Sequence, residues 1–396
     1  MNPPPNLHRR AASFGFSAAL VSGLGQTFFI GLFGLSIRGD LGLGESHWGA
    51  VYAAATLASG LLMFSLGGIA DHMSMKRAIT LALAILGAGT ALMAVATHWM
   101  ALLAGLFFLR LGGQGLCGHI AIVAAARHAR RRGRSIATAA FGFILGEALL
   151  PVVVVALLGW LDWRWVWGMA VMVVVLALPI LRAIAAPLPR PVGAAPAAGA
   201  TAPMQRRQLI RMPAFLSALA VVLVSPFVVT AAFLHQGTLS TLQGWTPAQV
   251  ASGFVAFAAT QTATTWFAGH SVDRYGVRSV VRVYLLPVAA AFLALAFGPP
   301  QMALWGMFIG LGATAGGNSV VSGALWADVF GVDNLGMVRG VYIGFMVITT
   351  ALSPLLFGLV LEKGGSMVVV ASVVAVYVVV VPIQVARSLV VRRGQI

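Results

Sequence analysis

Gly67-Gly-Ile-Ala-Asp-His-Met-Ser-Met-Lys-Arg77 is a short polar loop set between two long apolar runs. An echo stands 202 residues on, from Gly67 to Gly269, as Gly269-His-Ser-Val-Asp-Arg-Tyr-Gly-Val-Arg278. In both copies a Gly precedes an Asp by four positions and basic residues follow. Each copy has a helix-length apolar segment on either side. The chain therefore reads as two similar halves, each built around one of these loops.

The solvent that such a chain needs follows from its composition. Of its 396 residues 60% are hydrophobic and 9% are charged, and the mean hydropathy is +0.94. Soluble domains carry about 25% charged residues, so this chain lacks the polar side chains to cover itself and the bilayer is its expected surroundings. A bilayer core takes about 20 apolar residues per helix, and runs of that length recur here. The alternating strands of about 10 residues that build membrane barrels are missing. The net charge of +16 lies in the short connections between runs, so it speaks for membrane topology and against nucleic acid. The single cysteine, Cys117, excludes an intrachain disulfide and a cysteine metal cluster. No cofactor or metal is expected.

Twelve spans are predicted. Those of the first half fall at about 13–37, 48–70, 78–97, 100–126, 135–159 and 165–184. Those of the second fall at about 213–235, 248–270, 279–297, 301–326, 340–361 and 367–386. Between them, residues 185–212 are rich in Pro, Ala and Gly and then basic, as a flexible linker would be. The expected domains are thus a six-helix bundle over 1–184, a cytoplasmic linker over 185–212 and a second six-helix bundle over 213–396. With the N-terminus inside, 21 of the 25 Lys and Arg fall in cytoplasmic segments and three, Arg38, Arg164 and Lys363, outside. That split favours both termini being cytoplasmic, in a multi-pass protein of the cell inner membrane.

The offset of 202 also relates Asp71 to Asp273 and Gly142 to Gly344, and Pro151 meets Pro354 with one residue of slippage. Two copies of six spans share one orientation, which suits bundles related by an axis along the membrane normal. On these residues the chain resembles the major facilitator superfamily. Its signature after the second span, approximately Gly-x-x-x-Asp-Arg-x-Gly-Arg-Arg, is similar to Gly269, Asp273, Arg274, Gly276 and Arg278. The first copy keeps Gly67, Asp71, Lys76 and Arg77, with His72, Ser74 and Met75 as departures. Arg110-Leu-Gly-Gly-Gln-Gly115 resembles the family's intramembrane Arg and Gly-rich run, and Trp163-Arg164-Trp165 its Trp-Arg signature. Gly142 to Pro151 is similar to an antiporter element, with Glu147 where that element has Pro.

The resemblance implies a secondary active transporter in which two bundles rock about a central site by alternating access. It also implies that Asp71 with Lys76 and Arg77, and Asp273 with Arg274 and Arg278, form a cytoplasmic latch. In the family the Asp caps a neighbouring helix and joins a charge network. Gly67 and Gly269 would let helices approach closely. The 269–278 copy is expected to be the better ordered.

Arg110 and Glu147 lie at bilayer depth, where a charge costs on the order of 3 kcal/mol or more, so each is a functional candidate. Three readings stand side by side. Arg110 binds an anionic substrate and Glu147 a proton; both form a proton relay; or they are a permanent ion pair. Gln114 shares a face with Arg110 and could orient it. Gln26, Gln261 and Asn318 are further polar candidates for lining a substrate cavity. His119 is placed off the Arg110 face, and His235 with Gln236 suits either a gate or a solvated helix end.

The leading expectation is a proton-coupled transporter of a small organic solute, with organic anions among the candidates, acting as a monomer. An efflux antiporter for drugs or siderophore-like compounds is the alternative within transport. A non-transporting sensor or scaffold would call for an appended soluble domain, and none is seen. An enzyme would need a nucleophile or metal constellation, and the sequence offers none.

Overall fold

A computed structural model describes residues 5–66, 73–127, 132–188, 206–331 and 335–391. All regular structure among them is helical. Among the described residues nine helices are long and apolar enough to cross a membrane, including Met75–Ala94, Trp99–Arg127, Trp163–Ala185 and Met367–Arg387. Three further helices, Glu45–Leu66, Pro247–Tyr275 and Pro300–Phe330, are also long but carry more Gly, Ser, Thr and Gln. Together these account for the twelve spans expected.

The first half runs α1 (Pro5–Ser22), a 3-10 turn (Gly23–Gly25), α2 (Thr27–Gly31), α3 (Gly34–Leu41) and α4 (Glu45–Leu66). It continues with α5 (Met75–Ala94), α6 (Trp99–Leu109), a π-helical stretch (Arg110–Cys117), α7 (Gly118–Arg127), α8 (Arg132–Leu158) and α9 (Trp163–Ala185). The second half opens with α10 (Arg206–Leu209), α11 (Pro213–Val222), α12 (Val224–Leu234) and α13 (Gln236–Gln243). Then come α14 (Pro247–Tyr275), α15 (Val277–Val281), α16 (Leu286–Phe297), α17 (Pro300–Phe330), α18 (Leu335–Glu362) and α19 (Met367–Val391).

Helix starts follow the chemistry of their first turns. Ser74, Asp162 and Thr246 each accept a backbone N–H from inside the helix they open. Pro213, Pro247 and Pro300 stand at first-turn positions, where a missing N–H costs nothing. The lateral pattern is that of helices in lipid. On α9 the buried side chains are Trp163, Val166, Trp167, Ala170 and Val174, whereas Met169, Met172, Val173, Leu176 and Ile180 are exposed. Both faces are apolar, so burial here is packing against protein on one side and lipid on the other. The Val-rich α19 likewise exposes Val369, Val373 and Val376, as expected of a lipid-facing span.

The chain divides into two compact units. One is Met1–Ala195 with the segment Phe233–Gly237, and the other is Pro196–Ala232 with Thr238–Ile396. In the first, α1 packs along α8 and α7, and α5 along α9 and α6. In the second, α14 packs along α17, and α16 along α17 and α19. The pairing of α5 with α9 and α6 in the first unit corresponds at the repeat offset to that of α16 with α19 and α17 in the second.

Four spans are less regular than the apolar runs suggest. The first is broken at Gln26, whose backbone is extended (φ −88°, ψ 154°). The fourth takes the π form over Arg110–Cys117. The seventh is interrupted at Leu223 and again at His235, and the ninth over 282–285 between α15 and α16. The first two breaks face each other: a Cβ on Gly25 would run into the carbonyl oxygen of Leu109, and a Cβ on Gly113 would sit 2.7 Å from Gly25 Cα. Backbone meets backbone there because neither residue has a side chain.

Candidate functional site

Arg110 leaves this crossing at the first residue of the π stretch and is buried, with 3% of its surface accessible. The break in span one frees carbonyl groups that an unbroken helix would use. Arg110 Nη1 donates to one of them, Gly25 O, at 3.2 Å, and to Thr27 Oγ1 at 3.5 Å. Thr27 Oγ1 in turn lies 2.6 Å from the Tyr52 hydroxyl, and the guanidinium sits over the Tyr52 ring at 5.2 Å. Arg110 Nε is buried without a partner. Among the described residues Arg110 makes no ion pair.

Glu147 lies on α8 with its Oε2 buried and unpartnered. Its helical neighbours fix the direction of its face. Phe143, one turn before, lies where it would touch a Cβ on Gly118 at 3.6 Å, and Leu150, one turn after, would meet a Cβ on Gly23 at 2.8 Å. Glu147 thus shares the stripe of α8 that lies against the 3-10 turn and α7. It does not pair with Arg110 in this conformation. Gln114, one turn along from Arg110 in the π stretch, also has a buried Oε1 with no partner. Gln26 is half-buried at the break itself. Four of the expected site residues, Arg110, Glu147, Gln114 and Gln26, therefore belong to one wall of the first unit, and three of them present unpartnered buried polar atoms.

Gln261 and Asn318 belong to the second unit. Gln261, on α14, has a buried Oε1 without a partner. Asn318 is engaged in packing: its Oδ1 accepts from the Tyr284 hydroxyl at 3.2 Å, and that hydroxyl is 3.0 Å from Val221 O. His119 is half-buried on α7, and Cys117 is buried and free.

The 269–278 loop has a clear backbone logic. Gly276 takes φ 77° and ψ 152°, a conformation closed to side-chain-bearing residues, and stands at the N-terminus of α15. Arg278 Nε donates to Asp328 Oδ2 at 2.9 Å, tying α15 to α17. Asp273 is exposed in the last turn of α14, and among the described residues it has no partner. The close approach expected at Gly269 is not found either, since a Cβ there would meet nothing within 4 Å. Arg274 lies over the Tyr275 ring at 5.4 Å. Gly67 and Asp71 lie outside the described residues. In that copy Ser74 accepts the Arg77 N–H at 3.4 Å, and Lys76 and Arg77 are exposed.

Two clusters of the first unit were not expected. Glu45 Oε2 lies 2.7 Å from His235 Nδ1, while Glu45 Oε1 pairs with Arg38 at 2.5 Å. His235 is fully buried, so it is no solvated helix end, and Trp48 Nε1 donates to the adjacent Leu234 O at 3.4 Å. In the other cluster Asp40 accepts from Trp163 Nε1 at 2.8 Å and from Arg164 Nη1 at 2.7 Å. Arg164 also donates to Ala96 O. The Trp-Arg signature is thus a clamp at one end of the bundle. The hydrogen bond from Trp163, and then that from Arg164, hold the Asp40 carboxyl below the usual carboxylate range. The Trp-Arg pair signalled this clamp in the sequence, whereas nothing local marked Glu45.

Helical units with an internal repeat, apolar spans and an intramembrane Arg define a multi-pass membrane protein. The chain belongs to the Major Facilitator Superfamily, whose profile matches residues 15–246 and 227–393. Its fold is similar to that of a bacterial homologue of the human lysosomal transporter Spinster, in an inward-facing and unoccupied conformation. That likeness has a TM-score of 0.73 at 16% identity and covers 98% of this chain and 95% of that one. The nucleoside transporter NupG is similar too, with a TM-score of 0.67 at 16% identity, covering 96% and 98%. No curated protein sequence matches the chain.

Proposed function

We propose that the protein is a secondary active transporter that moves a small anionic organic solute, coupled to protons, by alternating access. Membership of the superfamily supports the transport class. The observation that carries the rest is Arg110, a buried guanidinium at a broken helix with no carboxylate to neutralise it. Leaving a charge so is costly unless something else comes to it. An anionic group of the solute is the complement, with Gln114 and Gln26 beside it. Glu147, on the same wall, is the proton site. Gln261 is the corresponding polar candidate within the second unit, as is Asn318 if released from Tyr284. Lys76, Arg77, Arg274 and Arg278 with Asp71 and Asp273 serve as the latch in a different conformation of the cycle. The domains are residues 1–184 and 213–396 joined by 185–212, both termini are cytoplasmic, and the protein works as a monomer in the inner membrane.

The test is a thermal-shift screen of the purified protein against organic acids and lipophilic cations, repeated on Arg110→Ala. Stabilisation by a carboxylate that disappears in the variant is the expected result. Stabilisation by lipophilic cations alone, unchanged in the variant, would overturn the anion reading in favour of drug efflux. Proton coupling is read separately: uptake by Glu147→Gln proteoliposomes should no longer respond to a pH gradient.

A further inference from the structure

Among the described residues, five cations that have no part in the wall around Arg110 find no side-chain partner. Arg282 and Arg387 line one crevice of about 580 Å³ in the second unit, with Val283, Leu286, Val379 and Ile383. Lys76, Arg77 and Arg182 line another of about 690 Å³ in the first unit, with Met73, Leu81 and Ala84 among its walls. Neither crevice is lined by a carboxylate, and none of the five side chains makes an ion pair or hydrogen bond among the described residues.

The layout is the same in both. Each crevice lies where the third long helix of a half begins and the sixth ends, α5 with α9 and α16 with α19. Three wall positions match at the repeat offset of 202: Thr80 with Arg282, Leu81 with Val283, and Ala84 with Leu286. In the second unit's crevice the remainder beyond the two Arg is apolar, and in the first unit's Ser74 and Thr80 stand among the apolar Met73, Leu81 and Ala84. Arg387, Ile383 and Val379 follow one stripe at four-residue intervals, which at about 1.5 Å per residue runs roughly 12 Å down the helix. Lys76, Thr80 and Ala84 follow the same rhythm on α5. Val283, Val379 and Leu286 are exposed, so in a membrane they face lipid.

We infer that each crevice is a binding site for an anionic phospholipid, its phosphate held by the guanidinium and ammonium groups and an acyl chain laid along the apolar stripe. Charge complementarity selects the headgroup: among the described residues only cations, and no acid, line either crevice, which favours a net negative lipid over a zwitterionic one. Basic pockets at helix ends are suited to such headgroups. The inference rests on the membrane fold and not on the transport reading, so either can fail alone.

The test is native mass spectrometry of the full chain in mild detergent, delipidated and then given phosphatidylglycerol, phosphatidylcholine of the same acyl chains, or inorganic phosphate. Up to two phosphatidylglycerol molecules per chain should be retained. Arg282→Gln with Arg387→Gln should weaken one of them roughly thirtyfold, at about fivefold per lost charge. Adding Lys76→Gln, Arg77→Gln and Arg182→Gln should remove the other. As a variant that spares charge, Val379→Trp should fill the apolar stripe and lower retention at the first site alone. Equal retention of phosphatidylcholine, unchanged stoichiometry in the charge variants, or displacement by inorganic phosphate as readily as by lipid would each overturn the proposal. The last would mark a site for small anions.

Discussion

The two halves repeat one architecture but differ at the positions that matter for chemistry. Position 110 is Arg, and 202 residues on position 312 is Gly; position 147 is Glu, and position 349 is Thr. In the first half the fourth span bends into a π stretch and delivers a guanidinium to the break in span one. In the second half α17 runs unbroken from Pro300 to Phe330, and Gly312 lies against the backbone of Phe257 on α14. The same place in the repeat is used once for charge and once for contact. The repeat supplies the frame, and at this position only the first copy carries a charge.

That contrast is most directly broken by exchanging the two roles. Arg110→Gln should leave the protein folded but weaken a carboxylate ligand by roughly tenfold to hundredfold, the worth of a charge-assisted hydrogen bond. Ligand-induced shifts in melting temperature measure this, and an unchanged ligand response would show that Arg110 is structural. Gly312→Ala should do the opposite. Its Cβ would fall 2.5 Å from the Phe257 carbonyl oxygen, and backbone cannot move aside cheaply. A loss of about 1–3 kcal/mol in stability is expected, with ligand affinity retained by the fraction that stays folded. If Gly312→Ala instead abolished binding at full stability, the division of roles would fail.

Much of the frame could be read from the chain, because lipid demands long apolar runs and the repeat fixes their count. The wall around Arg110 could be read only in part. A charge at bilayer depth announces itself, but the break that receives it depends on Gly25 meeting Leu109 and Gly113, residues more than 80 positions apart. An apolar run looks the same whether its helix is straight or broken. The pairing of Glu45 with His235 was hidden for a related reason, although His235 itself stood out as a polar residue near a helix end. The two are separated by 190 positions, and neither half of the pair signals the other locally. Asp273 is the opposite case: its motif is legible, and among the described residues its side chain makes no bond that would report what the motif does.

The loops carry the same contrast at lower cost. Ser74 and Gly276 are 202 residues apart and both stand just before a helix. Ser74 has ordinary extended dihedrals (φ −65°, ψ 146°) and caps with its hydroxyl, whereas Gly276 has a conformation that only glycine tolerates. Swapping them should therefore be asymmetric. Gly276→Ser is expected to cost about 1–3 kcal/mol in strain. Ser74→Gly should cost only a few tenths, since glycine is itself an acceptable N-cap. Chemical or thermal denaturation of both variants decides it, and equal costs would mean that the two loops differ in sequence but not in backbone.

The smallest effect concerns the Asp40 clamp, which again has no counterpart in the second half: the offset places Leu242, Gly365 and Ser366 where Asp40, Trp163 and Arg164 stand. Asp40 is ionised below the usual carboxylate range because Trp163 and Arg164 donate to the charged form. A carboxyl with a lowered folded-state pKa stabilises the fold above its unfolded pKa, about 3.9 for Asp, and that contribution is lost as pH falls through the folded value. Asp40→Asn should therefore melt slightly below the wild type at pH 7, and the gap should close below about pH 4. Because the carboxylate is partly exposed, added salt should narrow the gap at neutral pH as well. A gap that stays constant from pH 7 to pH 3 would mean that Asp40 acts through the shape of its hydrogen bonds alone. The clamp would then be a matter of packing, like Gly312, and not of charge.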